Sequence, residues 1–106
     1  MTKYMFHGSY TAVGAAGVLS DGGTGRHKAV AALVESVGGS LESLYWAMGK
    51  DDFYLVADMP DSHAAVAASV AVAASGAVGI TTAELFTVGD MDDIVSRRAS
   101  YRAPGE

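Results

Sequence analysis

The sequence predicts one α+β domain, a single antiparallel sheet with two main helices on one of its faces. Three observations predict it. Strand-like runs of period two alternate with helical stretches of period 3.6 in the order β-α-β-β-α-β. Two of the runs are joined only by Gly49-Lys50-Asp51-Asp52, which makes them a hairpin. The chain has 106 residues, the length of one ordinary domain.

Residues 3–10 read as the first strand, with Tyr4, Phe6 and Tyr10 on one face and Met5, His7 and Ser9 on the other. Residues 11–24 hold Gly14, Gly17, Gly22 and Gly23 and read as a long loop with one helical turn at most. A helix is expected from Thr24, its N-cap, to about Val37. Val30, Leu33, Val34 and Val37 give it one apolar stripe, and Gly38-Gly39 ends it. Residues 40–48 form the second strand and Phe53 to Asp58 the third. Pro60-Asp61 opens a second helix, capped by Asp61 or Ser62 and ending at Gly76. Val78 to Thr87 forms the fourth strand. Thr87-Val88-Gly89-Asp90 has capping-box spacing for a last helix over 88–98. Residues 1–98 are then one domain and 99–106 a tail. This order is the ferredoxin-like one.

That arrangement leaves one sheet face without helices. A wet face alternates with polar residues, yet the first two strands carry large groups on both faces, including Tyr45 and Trp46. Residues 64–74 are apolar nearly all round, as in a helix buried on more than one side. A second copy of the chain is the expected cover, so a homodimer or higher homo-oligomer is expected. The plain alternative for 64–74 is helix propensity, since alanine is a strong helix former.

Composition excludes several classes. Cysteine is absent, so there is no disulfide framework, thiol nucleophile or cysteine-bound metal. The net charge is −5, with no basic stripe, so nucleic-acid binding is not expected. Residues 1–8 have one positive charge and no apolar h-region, and the longest apolar run, Ala64 to Ala74, is too short for a bilayer span. A cytoplasmic location without membrane contact is the default expectation.

Several segments carry a resemblance: Gly8-Ser9-Tyr10-Thr11, Gly14 and Gly17, Gly22-Gly23 followed by Arg26, Gly38-Gly39, Gly49 with Asp52, Pro60-Asp61, Ser75-Gly76-Ala77, and Thr82 leading to Leu85 and Met91. In this order they resemble the GYD family of small prokaryotic proteins. The family signature has the form Gly-x-Tyr-Asp; here it reads Gly49-Lys50-Asp51-Asp52, with Asp51 in the tyrosine position. The resemblance implies a ferredoxin-like fold and an oligomer of the dimeric α+β barrel kind. It implies no activity.

The first candidate site is His7 with the acidic hairpin. The first and third strands are neighbours in this topology, so His7 is expected on one face with Asp52, Tyr54 and Asp58. A carboxylate beside His7 fixes its tautomer and suits it to general-base work. His7, Asp52 and Asp58 are therefore the catalytic candidates, weighed against a structural contact. Tyr10, Tyr45, Trp46 and Tyr54 are candidates for lining an apolar or aromatic ligand, weighed against core and interface packing. Arg26, after the glycines 22–25, is a candidate for an anion, although no phosphate-binding fingerprint is present. His7, His27 and His63 are dispersed, and Asp90, Asp92 and Asp93 lack calcium-loop spacing, so neither metal nor cofactor is expected. The leading expectation is an oligomeric domain that binds a small apolar or aromatic molecule between sheet and partner. The alternatives are a cofactor-independent enzyme (proton transfer, isomerase or oxygenase type) working through a His–Asp pair, and a structural or interaction module.

Overall fold

The computed structural model describes residues 1–106. Its elements are β1 (Thr2–Tyr10), α1 (Ala12–Ser36), β2 (Ser40–Trp46), β3 (Phe53–Met59), α2 (Ser62–Ala74), β4 (Val78–Leu85) and α3 (Val88–Ser96). The strands form one sheet of order β2-β3-β1-β4, and every neighbouring pair is antiparallel. This is the expected ferredoxin-like architecture with a terminal helix. The central strands β1 and β3 supply most of the core, because only they are flanked on both sides. Tyr4 and Phe6 alternate inward from β1, and Phe53, Leu55, Ala57 and Met59 from β3. Val34 of α1 and Ala65 and Ala68 of α2 close on them.

One expected boundary is overturned. Residues 12–21, expected as loop, are helical, and α1 starts at Ala12 rather than near Thr24. Thr11 is the cap: its side chain accepts from the Gly14 amide at 3.3 Å. Docking favours the helix despite its glycines. A methyl group at Gly14 would overlap the Ala77 carbonyl, so only glycine lets this turn lie against the start of β4. The Thr11 amide donates to Ala77 O at 2.9 Å and its hydroxyl to Gly76 O at 3.0 Å. The glycine content acts instead at one point. Gly22, at φ 68° and ψ 177°, breaks α1 in a conformation that suits only glycine.

The second strand also departs from simple alternation. Leu41 pairs with Ala57, but Ser43 pairs with Val56, so Glu42 and Ser43 form a bulge. Beyond it, Leu44 pairs with Leu55 and Trp46 with Phe53, on the helix-covered side. Tyr45 pairs with Tyr54 on the open side.

Local signals elsewhere act as read. Asp61 caps α2 through the Ala64 amide at 2.8 Å. Thr87 and Asp90 form a reciprocal capping box at 3.0 and 2.8 Å. Within one chain, α2 is buried only through the side that carries Ala65 and Ala68, while Val66 and Val70 stand exposed. No residue of α3 is buried.

Candidate functional site

The two main helices sit over different halves of the sheet. α1 packs chiefly on β2 and α2 chiefly on β4, leaving a cleft between them. Phe6 and Phe53 form its floor, and Leu33 and Val72 form its walls. The space exists because the helices present alanines there, Ala29 and Ala68. Its inner cavity is about 80 Å³ and adjoins an outer one of about 350 Å³, with Tyr10, Arg26, Leu33, Val72 and Val78 common to both.

Three of the expected ligand residues meet here: Tyr10, Trp46 and Arg26 all line the inner cavity. Trp46 arrives through the bulge in β2. Its Nε1–H donates to the Tyr10 hydroxyl at 3.0 Å. The Tyr10 ring packs against Phe53, with centroids 5.5 Å apart. Its amide donates to Asp52 Oδ2 at 2.9 Å, which fixes the end of β1 to the hairpin. Arg26 pairs with Asp21 at 3.4 Å. Tyr45 and Tyr54 do not join this group, because their shared register position lies on the opposite face.

That opposite face holds His7. The imidazole stacks on Tyr54, with centroids 5.7 Å apart and planes inclined by 14°. Its carboxylate partner is neither of those expected. His7 Nδ1 donates to Asp51 Oδ2 at 2.8 Å. Asp52 is taken by the Tyr10 amide, and its own amide donates to Gly8 O at 2.7 Å. Asp58 stands opposite Lys3 in the strand register, far along β3 from His7, and accepts from the Lys3 ammonium at 3.1 Å. Strand alternation alone placed Asp52 and Asp58 beside His7. It overlooked the turn residue Asp51, which curls back over β1 while Ser9 Oγ donates to Lys50 O at 2.8 Å. The signal available was the departure from the Gly-x-Tyr-Asp pattern at this very position. With Nδ1–H committed to Asp51, the neutral tautomer leaves a lone pair on Nε2, which makes no hydrogen bond within the chain.

Other polar groups serve structure. Glu42 first, then Asp58, hold the Lys3 ammonium above its usual 10.5. Burial, reinforced by Glu84 at 3.3 Å, raises the Tyr4 phenol above its usual 10.0. Ser69 and Thr82 hydrogen-bond between α2 and β4. No group of three His, Asp or Glu side chains converges as a metal site would require.

These features define a ferredoxin-like α+β domain with an apolar cleft on one side of its sheet and a histidine–carboxylate pair on the other. The chain belongs to the GYD domain family, whose model matches residues 4–95. No curated protein and no solved structure gives a significant match. No helix is long and apolar enough to cross a membrane.

Proposed function

We propose that this GYD-domain protein binds a small apolar or aromatic molecule in the cleft between helices and sheet, and that it works as a homo-oligomer. The cleft carries the binding reading. Every residue that lines its inner cavity is hydrophobic except Arg26. Ligand sites are concave and mainly apolar, with few polar groups to orient the guest. A gap left in a core without a guest costs stability, since interiors are close-packed.

The oligomer is supported by surface area. The chain exposes 6943 Å², against about 5,500 Å² for a compact monomer of its mass. The excess of roughly 1,400 Å² is larger than the ~800 Å² that each partner contributes to an ordinary interface. The radius of gyration of 16.8 Å likewise exceeds the ~13 Å of a compact chain of this length.

Trp46 is the only tryptophan and lines the cleft, so its fluorescence reports occupancy. Titration with a panel of small aromatic compounds should change its emission saturably. Ala29 is exposed at the cleft, so Ala29→Phe should fill the space without unfolding the chain and abolish the response. No response from the whole panel, or an undiminished one in Ala29→Phe, refutes the reading.

The His7–Asp51 pair favours a second reading, a cofactor-independent enzyme. His7 Nε2 would take a proton from an aromatic or carbonyl substrate lying against Tyr45 and Tyr54, with Asp51 orienting the ring. His7→Ala and Asp51→Asn should both remove any turnover found while Trp46 titrations stay normal. Turnover that survives His7→Ala eliminates this reading.

A further inference from the structure

We infer that the molecule held in the cleft is an anion, a small aromatic monocarboxylate whose ring lies in the inner cavity and whose carboxylate is bound by Arg26 and the Tyr10 hydroxyl. The inference rests on the cleft being a ligand site and specifies the ligand's chemistry.

Charge and hydrogen-bond direction carry it. Arg26 is the single charged residue along both connected cavities, in a chain of net charge −5. A guanidinium only donates, and its five N–H groups form a fork suited to a carboxylate. Its sole protein partner is Asp21, at a long 3.4 Å, with both side chains partly exposed. Most of its donors are therefore free for a guest. The other polar group at the inner cavity has the same sense. The Tyr10 oxygen already accepts from Trp46 Nε1, which leaves its O–H to donate. Ser75, in the outer cavity, donates to Val72 O and accepts from the Ala77 amide, so it is occupied. The lining of the cleft thus offers donors, and the one carboxylate beside it, Asp21, is already turned on Arg26. The body of the guest follows from the walls. Phe6, Phe53, Tyr10 and Trp46 present aromatic surface to a cavity of about 80 Å³, which suits one flat ring rather than a bulky skeleton.

Asp21 acts as the resident competitor. Positions five apart do not meet on a regular helix. Asp21 reaches Arg26 because the Gly22 break lies between them. A ligand carboxylate that binds Arg26 displaces this side chain.

Phenylacetate, the neutral phenylethanol and ring-less acetate are titrated against the full chain, read by Trp46 fluorescence and calorimetry. Phenylacetate should bind roughly tenfold more tightly than the alcohol, as a charged hydrogen bond warrants, and more tightly than acetate. Arg26→Met should bring phenylacetate down to the level of the alcohol and leave the alcohol unchanged. Asp21→Asn, which frees Arg26, should strengthen phenylacetate severalfold and leave the alcohol alone. Circular dichroism checks that both variants are folded. Equal binding of acid and alcohol by the natural chain, or weaker acid binding in Asp21→Asn, overturns the anion inference and leaves the cleft reading standing. Absence of binding by acid and alcohol alike, with the aromatic panel silent as well, removes the cleft reading and this inference with it.

Discussion

Replacing Asp52 by alanine should destabilise the protein more than the same change at its neighbour Asp51. The Asp52 carboxylate accepts from the Tyr10 amide at 2.9 Å, on a part-buried path between the hairpin and the end of β1. Asp52→Ala leaves that amide without a partner, at a place where water enters only in part. A lost hydrogen bond to a charged group costs about 2 kcal/mol there. For a domain near 100 residues this lowers the melting temperature by roughly 8 °C. Asp51 also holds a strong-looking contact, His7 Nδ1 at 2.8 Å. Its loss is cheaper, although the pair is half-buried, because a side-chain imidazole can turn toward water when the carboxylate goes, whereas the Tyr10 amide is fixed in the main chain. About 1 kcal/mol is expected, the contribution of a typical side-chain hydrogen bond. Asp52→Asn should fall between them, since an amide oxygen can still accept from Tyr10. Thermal melts followed by circular dichroism and by Trp46 fluorescence give the ranking directly. If Asp51→Ala proves as damaging as Asp52→Ala, the hairpin is anchored through His7 and the division of roles between the two aspartates is wrong.

Gly14→Ala should destabilise by about 1–3 kcal/mol, because its methyl group meets the Ala77 backbone, and urea denaturation measures it; Gly17→Ala, with nothing near it, should be neutral or stabilising. Lys3 and Tyr4 both hold their protons more tightly folded than unfolded, so their contribution is complete below pH 10 and is lost as pH rises beyond it. Urea midpoints should therefore fall through the alkaline range, and a Lys3→Met, Tyr4→Phe double variant should flatten that fall. Val70 of α2 is exposed and Ala68 buried against the sheet. Light scattering should find at least a dimer in the natural chain and smaller particles in Val70→Lys, whereas Ala68→Glu should unfold the chain; a monomeric natural protein would refute the assembly.

The order of elements was legible because each depends on local pattern. Tyr4 and Phe6, then Phe53, Leu55 and Ala57, mark inward faces by alternation, and Asp61 and Thr87 announce helix starts. The first half of α1 was not legible, because its glycines argue against helix and the docking of Gly14 on Ala77 is a tertiary fact. The site was half legible. Tyr10, Trp46 and Arg26 are legible as types, but their meeting depends on a bulge and on the spacing of two helices. Asp51 is not legible as the partner of His7, because strand periodicity says nothing about where a turn folds back.

The bulge at Glu42 and Ser43 gives the second strand a property that side-chain exchange cannot reach. Two residues there face one on β3, so the chain beyond them is a half-period out of step with the chain before. A hairpin that slipped so as to erase the bulge while keeping both residues would turn the strand over from that point: Leu44 would oppose Tyr54 on the open face, and Tyr45 would oppose Phe53 in the cleft in place of the indole. Deleting one of the two residues removes the bulge without that exchange, because Leu44 and Trp46 then keep Leu55 and Phe53 as partners. The loss of one codon would thus leave both faces of the sheet as they are, whereas a slip of one position, with no residue changed, would give the cavity a phenol and the opposite surface a tryptophan.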